Sequence, residues 1–301
     1  MTETIHEVYA ANDRLGEGPF WDAGRRRLLW SDVHRSTVHE LDPATGESRD
    51  LAMGQMVFSL VLNKGGGLII TGPTGMHHWH PERGASLIVR EHEGESLFFN
   101  DAIADACGRV YAGTVYWGAE GLVKPGKLYL VDVDGKARIV DTGISMSNGL
   151  GFSPDDRTLY LADSLVRRIY AHDVDPVTGD LSGKRVFAQV PADEGMPDGL
   201  TVDAEGYVWS AQWYGGQVVR YDPEGNVNRR IAFPVTQVAS VMFGGANLDE
   251  LFVTTAAAPF KSDYAPPGYD HETPNLGGSL YSIRPGVRGR LEHLADLRLP
   301  S

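Results

Sequence analysis

Asp203-Ala204-Glu205-Gly206-Tyr207-Val208-Trp209-Ser210 joins a tight-turn signature to a short apolar run, and the same juxtaposition recurs along the whole chain. The runs are Leu28-Leu29-Trp30, Leu68-Ile69-Ile70, Val110-Tyr111-Ala112, Leu159-Tyr160-Leu161, Val208-Trp209-Ser210 and Leu251-Phe252-Val253. Each follows a turn: Asp22-Ala23-Gly24-Arg25, Asn63-Lys64-Gly65-Gly66, Asp105-Ala106-Cys107-Gly108, Ser153-Pro154-Asp155-Asp156, Asp203-Ala204-Glu205-Gly206 and Gly244-Gly245-Ala246-Asn247. Gly, Asn and Asp supply the positive φ angles and side-chain-to-backbone hydrogen bonds that tight hairpins need. Between the middle residues of successive runs the steps are 40, 42, 49, 49 and 43 residues, the length of a four-stranded propeller blade.

A third strand-like segment and another turn follow the runs, as in Leu128-Tyr129-Leu130-Val131-Asp132-Val133-Asp134-Gly135. Helical periodicity does not persist over about ten residues anywhere, which excludes βα units. The sequence therefore predicts an all-β, six-bladed β-propeller with four-stranded antiparallel blades, one domain over residues 1–301. Ile5 to Tyr9 is expected to complete the last blade from the opposite chain end. Ala256 to Gly278, rich in Pro, Gly and Tyr, is expected to form a loop over one face inside the sixth blade.

Composition agrees with short strands and many turns, with 36 Gly and 17 Pro in 301 residues. A net charge of −13, from 27 Lys and Arg against 40 Asp and Glu, repels nucleic acid and anionic membrane surfaces. The lone Cys107 has no internal partner for a disulfide and no positioned His in its turn, so it reads as inert. Met1 to Ala11 lacks the basic start and apolar run of a signal peptide, and no apolar stretch is long enough to span a bilayer. These features predict a cytoplasmic protein, monomeric or weakly homo-oligomeric, that takes a small molecule rather than a polyanion or a membrane as partner.

In a propeller the innermost strand of each blade lines the central channel, so equivalent repeat positions gather around one axis. Counting back 10 to 12 residues from the anchors Leu29, Ile69, Tyr111, Tyr160, Trp209 and Phe252 reaches Glu17, Ser59, Asn100, Asn148, Asp198 and Ser240. Ser59 and Ser240 are read as turn residues at the strand starts. Glu17, Asn148 and Asp198 are different, because carboxylates converging where water is scarce must share a proton or bind a cation. Hard oxygen ligands without His or Cys suit Ca²⁺, Mg²⁺, Mn²⁺ or Fe²⁺, with catalytic Zn²⁺ also open. Glycine follows each of the three, which permits close approach of backbone or substrate.

At these residues the chain resembles the SMP-30, gluconolactonase and regucalcin family of six-bladed propellers, over nearly its whole length. The carriers are Gly16-Glu17-Gly18-Pro19 with Trp21, Phe99-Asn100-Asp101, Tyr111-Ala112-Gly113-Thr114, Ser147-Asn148-Gly149-Leu150, Asp163-Ser164, Pro197-Asp198-Gly199, Asp203-Ala204-Glu205-Gly206 and Phe243-Gly244-Gly245. The resemblance implies one divalent metal at Glu17, Asn148 and Asp198, with Asp198 as general base, Asn100 and the adjoining Asp101 on the substrate side, and hydrolysis of sugar-acid lactones. Phosphotriester hydrolysis at the same site, and a calcium-binding propeller without turnover, are the alternatives. Phe98 stands where members acting on sugar lactones often carry Arg, which favours a smaller or less hydroxylated substrate. Trp117, in Val115-Tyr116-Trp117-Gly118 after an inner blade strand, is expected either to supply a stacking wall for a sugar ring or to pack between blades. Met76-His77-His78-Trp79-His80 falls on the third strand of the second module, away from the channel, and is not read as a metal site.

Overall fold

The computed structural model describes residues 4–118, 121–259, 263–272 and 276–298. Six four-stranded antiparallel sheets form the blades of a propeller. Their innermost strands are Gly16–Asp22, Ser59–Leu62, Phe99–Ala104, Ser147–Phe152, Met196–Val202 and Val238–Gly244, and each touches the next in a closed cycle. Among the described residues there is no α-helix, only one 3-10 turn at Val33–Arg35. Among the described residues no helix is long and apolar enough to cross a membrane.

Burial explains the order of strands within a blade. Inner strands are sealed on both faces, as in Met196–Val202, whereas outer strands such as Gly84–Val89 are largely exposed. The apolar runs that define the repeat are second strands, and their middle residues are buried between neighbouring blades. Aromatic rings complete those seams: Trp209 meets Phe243 edge-on at 5.8 Å, and Tyr111 meets Phe152 at 5.6 Å. Such pairs add about 0.5–1.5 kcal/mol each beyond burial.

The recurring Asp at the first position of several turns has a local cause. Asp203 Oδ1 accepts the backbone N–H groups of Glu205 and Tyr207, while Oδ2 accepts Trp209 Nε1 at 2.8 Å and Arg220 Nη2 at 2.6 Å. Asp105 repeats the pattern with the N–H groups of Cys107 and Arg109. One carboxylate thus closes the turn and fastens it to the strands behind.

The ring closes as expected, with His6–Tyr9 pairing with Leu280–Ile283 as the outer strand of blade 6. The stretch Ala256 to Gly278 lies between the second and third strands of that blade, where Arg167 donates to the Tyr264 carbonyl; residues 260–262 and 273–275 are outside the described residues. Two short hairpins were not foreseen, Glu91–His92 with Glu95–Ser96 and Tyr116–Gly118 with Gly121–Lys124. The histidine cluster does lie on the third strand of blade 2, and His78 bonds the Gly66 carbonyl.

A further unforeseen element is residues 284–298, which run across the face bearing the Asp and Gly turns. Ala204 donates to Arg288, Gly289 to Leu248, Ala295 to Leu62 and Asp296 to Gly108. With Arg290 also donating to the Ser153 carbonyl of blade 4, the C-terminal segment ties blades 2 to 6 together on the face opposite the inner-strand starts.

Within blade 1, His39 fastens the segment that leads into the first inner strand. Its ring joins Asp13 Oδ1 at 2.9 Å and Asp50 Oδ1 at 2.7 Å, and Trp30 Nε1 donates to the second oxygen of Asp13 at 2.8 Å. Burial opposes the imidazolium, but the hydrogen bonds and charges of Asp13 and Asp50 prevail and raise its pKa. A raised histidine contributes its stabilisation fully below its unfolded pKa and loses it as pH rises through the folded one. His39→Gln is expected to destabilise the protein by about 1.5–3 kcal/mol near pH 6 and by less under alkaline conditions, measured by urea unfolding. An equal loss at both would contradict the charge assignment.

Candidate active site

Five of the six innermost strands break their ladder at an equivalent point. In blade 1 Glu17 pairs with Ser31 and Phe20 with Leu29, so the inner strand advances one residue more than its neighbour. The same one-residue bulge lies between Phe99 and Ala102, Ser147 and Leu150, Pro197 and Leu200, and Val238 and Ser240. Blade 2 keeps an even ladder from Ser59 to Leu62. Bulges bend a strand and re-aim its side chains, and here they coincide with Glu17, Asn100, Asn148 and Asp198. Glycine completes the arrangement at two of these points. Gly18 has φ +55°, and a Cβ there would lie 2.9 Å from Ser59 Cα; a Cβ on Gly149 would lie 2.6 Å from the Asp198 carbonyl. Neighbouring inner strands meet only because those side chains are missing.

Glu17, Asn100, Asn148 and Asp198 line one cavity of about 360 Å³, with Phe98 and Trp117 in its wall. Its other polar lining is His34 and Ser164, and its apolar lining includes Leu15, Phe58, Val115, Met146, Met196 and Trp213. Phe98 packs edge-on against Phe58 at 5.4 Å, and Trp117 lies 6.2 Å from Tyr264. No Lys or Arg is among these lining residues. His34 and Trp213 escaped the sequence reading, Ser164 entered it only in the Asp163-Ser164 pair of the family resemblance and Val115 only in the segment of Trp117, although each follows its second-strand anchor by four or five residues. Second strands end on the face where inner strands begin, so that offset was the available signal.

Glu17 is 8% exposed and Asp198 5%, and neither has an ion-pair partner among the described residues. Burial, then repulsion from Asp198 and Asp101, raises the Glu17 pKa well above the usual carboxylate range, and the Gly18 N–H offsets this only in part. Burial and then Asp101 raise Asp198 likewise against the Gly199 N–H. Both carboxylates lack a compensating positive charge. Among the described residues no three His, Cys, Asp or Glu side chains gather closely enough to hold a metal by themselves; Asn148 lines the same cavity as Glu17 and Asp198.

Hydrogen bonds orient both amides. Asn100 Nδ2 donates to the Ser147 carbonyl and to Asn148 Oδ1, each at 2.8 Å. Its two N–H protons are thereby used, so Asn100 offers the cavity only an acceptor oxygen. Asn148 Nδ2 donates to Ser164 Oγ at 2.9 Å.

Asp101 is placed elsewhere. It lines a separate cavity of about 40 Å³ further along the channel, with Ser59, Ser240 and Glu292, and not the cavity that holds Asn100. Burial raises its pKa to about 7 against the Ser59 hydroxyl. Ser59 and Ser240 are corrected by the same observation: both are inner-strand residues lining the channel, and Ser59 Oγ accepts the Ala102 N–H at 3.3 Å. Ser59 starts its strand but bonds the neighbouring inner strand rather than a turn, and Ser240 lies inside Val238–Gly244.

Residues 15–257 match the family described as SMP-30/gluconolactonase/LRE-like region. The chain belongs to that family. A pentonolactonase, XacC, of Haloferax volcanii is 35% identical over 98% of this chain and 99% of its own. A 6-deoxy-6-sulfogluconolactonase of Pseudomonas putida is 32% identical over 98% and 99%. Among solved structures, a regucalcin from Agrobacterium tumefaciens described as a calcium-binding protein superposes with a TM-score of 0.84 at 28% identity, covering 99% of both chains. The SMP-30 family match covers all four channel residues of the larger cavity.

The C-terminal segment adds a half-buried acid. Glu292 Oε1 accepts from Thr201 at 3.3 Å, whereas Oε2 is buried without a hydrogen-bond partner, and burial raises its pKa despite Arg290. A raised carboxyl loses stability as pH climbs through its folded pKa. Glu292→Gln keeps the acceptor for Thr201 and is expected to raise Tm by a few degrees in mildly alkaline buffer and by less in acid. A variant that melts earlier at every pH would contradict this reading.

Proposed function

We propose that the chain hydrolyses a neutral sugar-acid lactone to its hydroxy acid, with one divalent cation held by Glu17, Asn148 and Asp198. The observation that carries this is the pair of desolvated carboxylates without a cationic partner, facing the same cavity as two oriented amides. A bound cation would supply the missing positive charge, and its donors are all oxygen, which fits Ca²⁺, Mg²⁺, Mn²⁺, Fe²⁺ or Zn²⁺ in a catalytic role. When bound, it supplies Lewis-acid polarisation of the lactone carbonyl.

The chain's own groups perform the remaining work. Asp198 accepts a proton from the attacking water as the water oxygen bonds to the carbonyl carbon. The ring carbon–oxygen bond then breaks, and the proton passes to the departing ring oxygen. Asn100 Oδ1, the free end of its amide, accepts from a substrate hydroxyl. Phe98 and Trp117 cover an apolar face of the substrate and exclude water.

Lining chemistry narrows the substrate. With no Lys or Arg in the wall, an anionic substituent such as the sulfonate in the Pseudomonas putida relative's name would find no cationic side chain to pair with, which favours a neutral lactone. The pentonolactonase relative supports a small lactone.

Asp198→Ala is expected to lower hydrolysis of a pentono-1,4-lactone at least about 100-fold, followed by acid release. A chelator should abolish the wild-type rate and added Mn²⁺ restore it. Full activity in the variant would remove Asp198 as base, and chelator-insensitive turnover would remove the cation. Turnover of a phosphotriester but of no lactone would reassign the substrate. Phe98→Arg is expected to shift the kcat/KM ratio of glucono-1,5-lactone over the pentonolactone upward about 10-fold; an unchanged ratio would mean that other residues set the preference.

A further inference from the structure

Ser164 follows the second strand of blade 4, Thr158–Asp163, and is 2% exposed. Its backbone N–H donates to the Met146 carbonyl at 3.1 Å. The preceding Asp163 accepts the N–H groups of Ser145 and Met146, each at 2.9 Å, so the chain on both sides of the hydroxyl is pinned. Ser164 Oγ donates to the Pro197 carbonyl at 2.7 Å. A hydroxyl has one proton, and with that proton on Pro197 its oxygen can only accept.

The consequence falls on Asn148. Its Nδ2 lies 2.9 Å from Ser164 Oγ, and a flipped amide would set two acceptor oxygens against each other. Asn148 must therefore keep nitrogen toward Ser164 and oxygen toward Asn100 and the cavity. Pro197 immediately precedes Asp198, so the same hydroxyl also anchors the backbone of a second channel residue from the next blade.

We propose that Ser164 is a positioning residue that fixes the amide orientation of Asn148 and its placement relative to Asp198. This rests on the reading of Glu17, Asn148 and Asp198 as cation ligands. Asn100 braces the oxygen end of the same amide, but with Ser164 removed Nδ2 would lose this acceptor, and the amide could turn only by breaking the Asn100 bond.

The test measures Mn²⁺ binding by calorimetry and the Asn148 side-chain amide signals by NMR in the metal-free protein, assigned by their loss in Asn148→Asp. Ser164→Ala is expected to weaken Mn²⁺ binding about 10- to 100-fold, the usual effect of removing a group that orients a metal ligand, and to move or broaden the Asn148 amide pair. Ser164→Cys, which keeps most of the volume but offers a poor acceptor, should act in the same direction and serves if the alanine variant does not fold. Wild-type Mn²⁺ affinity in the variants would overturn the proposal. If the wild type itself binds no Mn²⁺, the cation reading fails separately, and the amide signals decide: unchanged signals overturn the positioning role, displaced ones uphold it.

Discussion

Glu17 and Asp198 share a channel in which no Lys or Arg answers their charge, and the rest of the site follows from that deficit. Desolvating two carboxylates within reach of each other is costly unless a proton or a cation joins them. Other buried acids of this chain have a cationic partner, as Asp203 has Arg220 at 2.6 Å and Asp105 has Arg109 at 2.7 Å, whereas Asp101 and Glu292 of the smaller cavity form no ion pair among the described residues. What sets Glu17 and Asp198 apart is that they share their cavity with two oriented amides.

The propeller divides its two faces between stability and chemistry. On one face, Asp and Gly close the first hairpin of the blades, and the C-terminal segment laces those turns together. On the other, inner strands begin and second strands end, so polar residues from blades 1, 3, 4 and 5 reach one cavity. Bulges let these polar starts face the channel while the following apolar residues return to the seams between blades.

Much of this could be read from the residues alone, because repeat position converts directly into radial position in a closed ring. The six-fold recurrence of turn and apolar run led to the blades, and counting back from Trp209 or Tyr160 led to Asp198 and Asn148. What escaped was set by features without a period. The bulge at Asn100 and Asp101 sends neighbouring residues to different cavities, which simple alternation along a strand does not reveal. His34 and Ser164 sit beyond strand ends, where local composition reads only as loop. The C-terminal crossing depends on contacts with turns far apart in the chain, such as Ala295 with Leu62 and Lys64, and no local pattern announces it.

Crystals soaked in Mn²⁺ and measured for anomalous scattering test the central claim most directly. The account predicts one strong peak in the larger cavity within coordination distance of carboxylate oxygens of Glu17 and Asp198 and of Asn148 Oδ1. A cavity without a peak, or a peak held by other residues, would contradict it.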